Sequence, residues 1–223
     1  MVGGEGKRLK PFTSILPKPL IPIGGRTMID IILDNFNSQG FSKFDIIINY
    51  KSNIIKSYLE EFKRIYKINF HKEKKPLGTI GGLKLLQNKL TENFFISNSD
   101  VIFNLDFNDV FKYHKESKSI MTLVVAAKEY VFPYGNCVIN SEGELKDIIE
   151  KPSYDFLINT GLYVMNKKIL KYIPKNKKLN MDNLVKKLIK EKIKVCIFPI
   201  HDDAWSDVGQ WDEYKKTLGK LSL

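Results

Sequence analysis

A chain of 223 residues, 43% hydrophobic, can bury one continuous core and suits a single α/β domain better than two small ones. It holds no run of about 18 apolar residues and no basic-then-apolar leader, so neither a membrane span nor a secretory signal is expected, and the cytoplasm is the expected compartment. Thirty-six Lys and Arg against 25 Asp and Glu give a net charge of +11, but the lysines are scattered over the helical segments, which suits anionic small substrates and argues against a nucleic-acid partner.

The first informative stretch is GGEGKRLKPFTSILPKPL, residues 3–20. Gly3, Gly4 and Gly6 can adopt positive φ and bring main-chain N–H groups close to a ligand, while Lys7, Arg8 and Lys18 offer cations to phosphate oxygens. A Walker loop would need Gly-Lys-Ser/Thr, and a dinucleotide fingerprint would need a helix opening on the glycines; Lys7, Arg8 and Pro11 fit neither. The stretch reads as a phosphate-binding loop of another kind.

Beyond it, helical patterns at 27–39, 52–66, 79–86, 107–116, 180–191 and 210–218 are interspersed with apolar runs of strand character at 44–49, 68–70, 94–97, 120–127, 157–164 and 195–199. The alternation predicts a Rossmann-like α/β fold, a mostly parallel mixed sheet flanked by helices, with ligands beyond the carboxyl ends of the strands. Thr27 is the expected N-cap of the first long helix, with Asp30 in its first turn, Met28, Ile31, Ile32 and Phe36 on one face, and Gly40 at its end. Residues 136–151 read as a hairpin turning at Ser141-Glu142-Gly143. Cys137 and Cys196 lack a CxxC spacing and are expected to be buried, reduced thiols, which argues against a zinc site or a disulfide framework. His71, His114 and His201 show no triad or metal spacing, and Phe62, Tyr66 and Phe70 look like packing residues.

The 3–20 run resembles the signature of the sugar-1-phosphate nucleotidyltransferases, the nucleoside-diphosphate-sugar pyrophosphorylases: G-G-x-G-x-R-L followed by P-K-P. The likeness continues in the same order through Leu77-Gly78-Thr79, Asn98-Ser99-Asp100, Pro133-Tyr134-Gly135, Glu150-Lys151-Pro152, Asn159-Thr160-Gly161 and Trp205-Ser206-Asp207-Val208-Gly209. The resemblance implies an enzyme that condenses an NTP with a hexose 1-phosphate to give an NDP-sugar and pyrophosphate, with Mg²⁺, for cell-surface glycan synthesis. It implies one domain with a nucleotide-binding half at 1–132 and a sugar-phosphate-binding half at 133–223.

Residue by residue, the resemblance assigns catalysis to Arg8, Lys18 and Asp100, and nucleotide binding to Gly3, Gly4, Glu5, Gly6, Lys7, Gly78, Thr79 and Gly81. It assigns the sugar phosphate to Gly135, Glu150, Lys151, Asn159 and Thr160, and the metal to Asp100 and Asp207. A carboxylate at the carboxyl end of an apolar strand, as Asp100 is, suits Mg²⁺ on residue grounds too. Some thymidylyl and uridylyl relatives place a glutamine where Gly81 stands; the small residue, after Pro76-Leu77-Gly78-Thr79, points to GTP and to the hexose-1-phosphate guanylyltransferases, although CTP-using relatives share the glycines.

This chain departs from the family pattern in three ways. Lys7 replaces a threonine, Ser99 replaces a glycine before the metal aspartate, and only Met1 and Val2 precede the glycine loop where the family has a buried apolar strand. The first central strand is therefore expected to be largely missing, supplied by an additional N-terminal module of a longer chain, by another segment or by another subunit, and the fold is expected to be fragile. A homo-oligomer is compatible with this reading. Two alternatives stay open: a non-catalytic binding or regulatory homologue of the same fold, and a cytidylyltransferase acting on a sugar phosphate or a phospho-alcohol such as phosphocholine.

Overall fold

The computed structural model describes residues 1–2, 4 and 6–221. A 3-10 turn at Lys7–Leu9, helix α1 (Phe12–Ile15) and a second 3-10 turn at Lys18–Leu20 carry the glycine-rich segment. Strands β1 (Pro22–Ile23) and β2 (Arg26–Thr27) close a tight hairpin on Gly24 and Gly25, and helix α2 (Met28–Ser38) follows directly. Thr27 caps α2 as its chemistry predicts: its hydroxyl oxygen accepts the Asp30 N–H at 3.3 Å. Met28, Ile29, Ile32, Leu33 and Phe36 are buried along one stripe.

Strand β3 (Lys43–Ile48), helix α3 (Ser52–Glu61) and strand β4 (Lys67–Lys72) form a parallel unit in which Lys43 registers on Lys67 and Ile48 on Lys72. The helix expected over 52–66 stops at Glu61, and Phe62, expected to pack, is exposed. Residues 79–86, expected as a helix, wind only as a 3-10 helix at Gly81–Leu86. The amides of Ile80 and Gly81 are drawn to the Leu179 carbonyl at 3.1 and 3.2 Å, which holds the turn before it can open into an α-helix.

Strands β5 (Asn93–Ser97) and β6 (Val101–Phe103) lead to helix α4 (Phe107–Ser117), capped by Asp106, and then to strand β7 (Met121–Val131). The expected hairpin is present as β8 (Asn136–Ile139) and β9 (Leu145–Ile149), turning through Gly143 at φ +84°. Strand β10 (Ser153–Asn166), helix α5 (Met181–Lys190), strands β11 (Val195–His201) and β12 (Trp205–Asp207), and helix α6 (Trp211–Leu221) complete the described chain.

The central sheet runs β11-β7-β10-β5, with β7 and β11 parallel and β10 antiparallel to both of its neighbours. Its two faces are both covered, as the α/β reading requires. On one face Tyr163 and Met165 of β10 meet Leu184 and Leu188 of α5; on the other, Leu162 and Val164 meet Phe36 of α2 and Phe107 and Val110 of α4. Phe36 and Phe107 stack at 4.0 Å between centroids.

His114 is buried on α4 against the Thr122 hydroxyl, and His71 pairs with Asp45, so both are structural. The thiols differ from expectation: Cys196 is half-buried, while Cys137 is exposed, because no layer covers the hairpin that carries it. No helix among the described residues is long and apolar enough to cross a membrane.

Between the edges of β3 and β5 lies a cavity of about 480 Å³, lined by Ile29, Leu33, Phe36, Ile46, Phe95 and Ile96. Met1 and Val2 occupy one end of it: Val2 bridges Ile48 in parallel, its N–H donating to the Ile47 carbonyl at 2.9 Å, while the Met1 amine donates to the Ser97 carbonyl at 2.8 Å. The remainder is an apolar slot lined by side chains of α2, β3 and β5. Five alternating apolar residues fused ahead of Met1 are expected to raise the melting temperature by at least about 5 °C over a Gly/Ser fusion of equal length. Identical melting of the two fusions would show that the slot accepts no strand.

Candidate active site

Within the glycine-rich segment, Gly6 makes close contacts that only glycine permits. Gly6 has φ +64°, and a Cβ there would lie 2.8 Å from Thr13 Cγ2 and 3.0 Å from Lys18 Cβ. Its carbonyl accepts the Leu9 N–H at 2.9 Å and the Thr13 hydroxyl at 3.0 Å. Leu9 is fully buried with Ile21, Ile23, Met28, Val208 and Tyr214, so helix α6 clamps the flank of the loop. Lys51 fastens the other flank, its Nζ donating to the carbonyls of Thr13, Ser14 and Ile15. Gly4, Gly6 and Arg8 then face a cleft of about 510 Å³ together with Lys18, Gly78, Thr79 and Asp100. Gly3, Glu5 and the side chain of Lys7 lie outside the described residues.

The two aspartates meet through strand pairing. Asp100 immediately precedes β6 and Asp207 ends β12; the antiparallel register sets Asp207 opposite Val101, and the Val208 N–H donates to the Asp100 carbonyl at 3.0 Å. The Lys18 ammonium is paired with the Asp100 carboxylate, both side chains being largely buried. The three groups converge at Gly209. A Cβ on Gly209 would lie 2.5 Å from Lys18 Nζ, 2.6 Å from Asp100 Oδ2 and 2.9 Å from Asp207 Oδ1. Among the described residues no third acid, histidine or cysteine joins the two carboxylates, so the donor set is hard and small. Such a set fits Mg²⁺, which takes one or two carboxylates and completes its shell with waters and phosphate oxygens.

Opposite the phosphate loop, Leu77–Gly81 is tied to α5: the Thr79 hydroxyl accepts the Met181 N–H at 2.8 Å, capping that helix, and Leu179 bonds both Leu77 and Ile80. Gly78 has φ +80°, and a Cβ there would collide with the Leu179 carbonyl at 2.5 Å. Gly81 faces away from the cleft, against the main chain of Lys177 and Leu179. Glu73, Tyr50 and Asn98 also line the cleft, and sequence reasoning passed over Glu73 and Tyr50. Glu73 sits in the charged run Lys72-Glu73-Lys74-Lys75, which looks like a solvated face, yet it is buried, and its Oε1 has no partner among the described residues. Burial holds its carboxyl above the usual carboxylate range, against the lowering effect of hydrogen bonds from the Leu77 amide and Asn49.

The sugar-side residues divide into two groups. A bulge in β10 between Asn159 and Tyr163 places Gly161 against Asn98, beside Asp100; a Cβ on Gly161 would lie 2.5 Å from Asn98 Nδ2. Asn159 enters the bulge with its Nδ2 donating to the Tyr163 hydroxyl. Thr160 is buried, and its hydroxyl donates to the Val124 carbonyl, so it braces the bulge from inside the sheet. Gly135, Glu150 and Lys151 sit together elsewhere, around the exposed β8–β9 hairpin, where a Cβ on Gly135 would be 3.0 Å from Glu150 Oε2.

Comparison with known proteins agrees with this geometry. The nucleotidyl transferase family model matches residues 1–221. A mannose-1-phosphate guanyltransferase of Emericella nidulans is 36% identical over 78% of this chain and 50% of its own length. That of Schizosaccharomyces pombe is 33% identical over 96% of this chain and 61% of its own. This chain thus spans about half to three fifths of the curated relatives it matches. The crystal structure of HddC from Yersinia pseudotuberculosis complexed with GMP-PN superposes with a TM-score of 0.73 at 26% identity, covering 99% of this chain and 96% of HddC. With the matched model running over nearly every residue and the cleft built from its motifs, the chain belongs to the nucleotidyl transferase family.

Proposed function

We propose that this chain catalyses nucleotidyl transfer from an NTP, GTP in the first instance, to a hexose 1-phosphate, releasing pyrophosphate and forming an NDP-sugar. The observation that carries the reading is the convergence of Lys18, Asp100 and Asp207 at Gly209, on the cleft that the glycine-rich loop lines. The guanyltransferase names of the relatives and the GMP-PN complex of HddC support the base and the acceptor class.

In this mechanism the sugar-phosphate oxygen attacks the α-phosphorus and the bond to pyrophosphate breaks. Main-chain amides around Gly4 and Gly6 hold the triphosphate, and Arg8, exposed at the cleft, neutralises its charge. Lys18 exchanges its pairing with Asp100 for the α-phosphate oxygens, where charge gathers in the transition state. Asp100 and Asp207 would hold Mg²⁺, which when bound supplies further positive charge to phosphate oxygens. Asn159 orients the hexose beside the α-phosphate, and Glu150 with Lys151 grips its hydroxyls and phosphate. The protein acts in the cytoplasm.

Pyrophosphate release is expected with GTP, a hexose 1-phosphate and Mg²⁺, and to be weaker with the other three nucleotides; silence in every pairing would favour a non-catalytic homologue. Gly209→Ala should lower kcat at least roughly tenfold while moving the melting temperature little, because its new methyl displaces Lys18 and both carboxylates. Wild-type kcat in that variant would remove the convergence point from the mechanism. Lys151→Ala should raise KM for the sugar phosphate at least roughly tenfold and leave KM for the nucleotide unchanged. An unaltered kcat/KM for the sugar phosphate would take Lys151 out of the site.

A further inference from the structure

From Ala127 to Asn159 the chain has no buried residue, yet this stretch exposes eleven large hydrophobic side chains. Strand β11 ends opposite Ala127, so beyond that point β7 and β10 pair only with each other, as far as Val131 and Ser153. The ribbon they form carries its aromatic residues on one face and its acids on the other. Lys128, Tyr130, Tyr154 and Phe156 share one face through the cross-strand pairs Tyr130–Tyr154 and Lys128–Phe156, with Tyr130 and Phe156 packed at 5.7 Å between ring centroids. Glu129, Ser153 and Asp155 occupy the other face with the exposed Val131 and Leu157, and there the Ser153 hydroxyl donates to Glu129. Phe132 and Tyr134 extend the aromatic set just past the strand, also at 5.7 Å.

A two-stranded ribbon in water is marginal, and this one, with the β8–β9 hairpin at its end, has no core of its own. Eleven such side chains at about half exposure offer on the order of 1,000 Å² of apolar surface, against a few hundred on an ordinary monomer and about 800 Å² per partner in a standard interface. Tyrosine and phenylalanine are the residues that interfaces select. The charge of the arm indicates what covers it. Residues 128–157 carry three lysines against six carboxylates, a net −3 within a chain of net +11, so the rest of the same chain presents the opposite sign.

We propose that this arm docks on a second copy of the chain, each acidic, aromatic arm lying on the basic body of the other in a closed two-fold dimer. The exchange would bury the aromatic stripe and fix the hairpin that carries Gly135, Glu150 and Lys151. The dimer is independent of whether the nucleotidyl-transfer reading is right.

Sedimentation equilibrium of the native chain is expected to give twice the chain mass at about 50 µM, with a Kd that rises several-fold between about 0.05 and 0.5 M salt. Tyr130→Ser with Phe156→Ser should yield a folded monomer, whereas Ile65→Ser, at an exposed apolar residue outside the arm, should leave the dimer intact. Amide exchange read without any substitution should show protection over 128–157 that grows from about 1 to 50 µM protein. A native monomer at the higher concentration, an open-ended polymer, a dimer that survives the double substitution, a salt-insensitive Kd, or arm protection independent of concentration would overturn the proposal.

Discussion

Everything at the candidate site depends on one short pairing, three residues of β6 against three of β12, because it brings two carboxylates from positions 100 and 207 to the same point. Like charges that close in a partly buried setting repel by a few kcal/mol. The Lys18 ammonium offsets this, and the arrangement leaves room at its centre only for a residue without a Cβ, which is what Gly209 provides. The same lysine is the group a phosphate would compete for. On the proposed reading, phosphate oxygens would take the ammonium and leave the two carboxylates free to hold a divalent ion.

The surroundings hold that point from several directions. Helix α6 presses the base of the phosphate loop through Tyr214, whose hydroxyl donates to the Pro22 carbonyl, and through Trp211, whose indole N–H donates to the Lys10 carbonyl. The bulge in β10 pushes Gly161 against Asn98 and so governs the turn that presents Ser99 and Asp100. Ser99, the residue that departs from a glycine pattern, lines the cleft beside Asp100, so its side chain is accommodated next to the phosphate-binding groups. Thr79 belongs to both sides of the problem, lining the cleft while capping α5. Substitution there would loosen a helix as well as a binding wall.

Local chemistry was the most legible part of the sequence. The Thr27 cap, the glycine-rich loop, the hairpin turn at Gly143 and the placement of Asp100 after an apolar strand all follow from signals spanning a few residues, and the structure contains each of them. Features set by distant partners were not legible. The 79–86 segment became a 3-10 turn because of Leu179, about a hundred residues away, and Gly81 turned from the cleft for the same reason. Glu73 looked solvated among lysines, since nothing local reveals that the Gly82 main chain packs over it; a Cβ on Gly82 would lie 2.3 Å from Glu73 Oε1. The strands expected at 120–127 and 157–164 ran longer at the hairpin end, because β-branched and aromatic residues continue there without the burial that a core reading relies on.

The two groups of proposed site residues are therefore held by different physics. The glycine-rich loop is anchored through Leu9 among buried neighbours, where packing resists displacement. Glu150 and Lys151 sit on a ribbon whose strands are braced by each other alone, so their distance from Asp100 depends on strand twist. Nucleotide chemistry needs the first kind of precision, since a misplacement of about 1 Å at the reacting phosphorus costs two orders of magnitude in rate. A sugar phosphate that must enter, be gripped and leave as part of a larger product gains from the second. If both proposals hold, a rigid phosphate-binding body and an arm positioned by its partner would form a division of labour in which acceptor binding is the step most open to control by association.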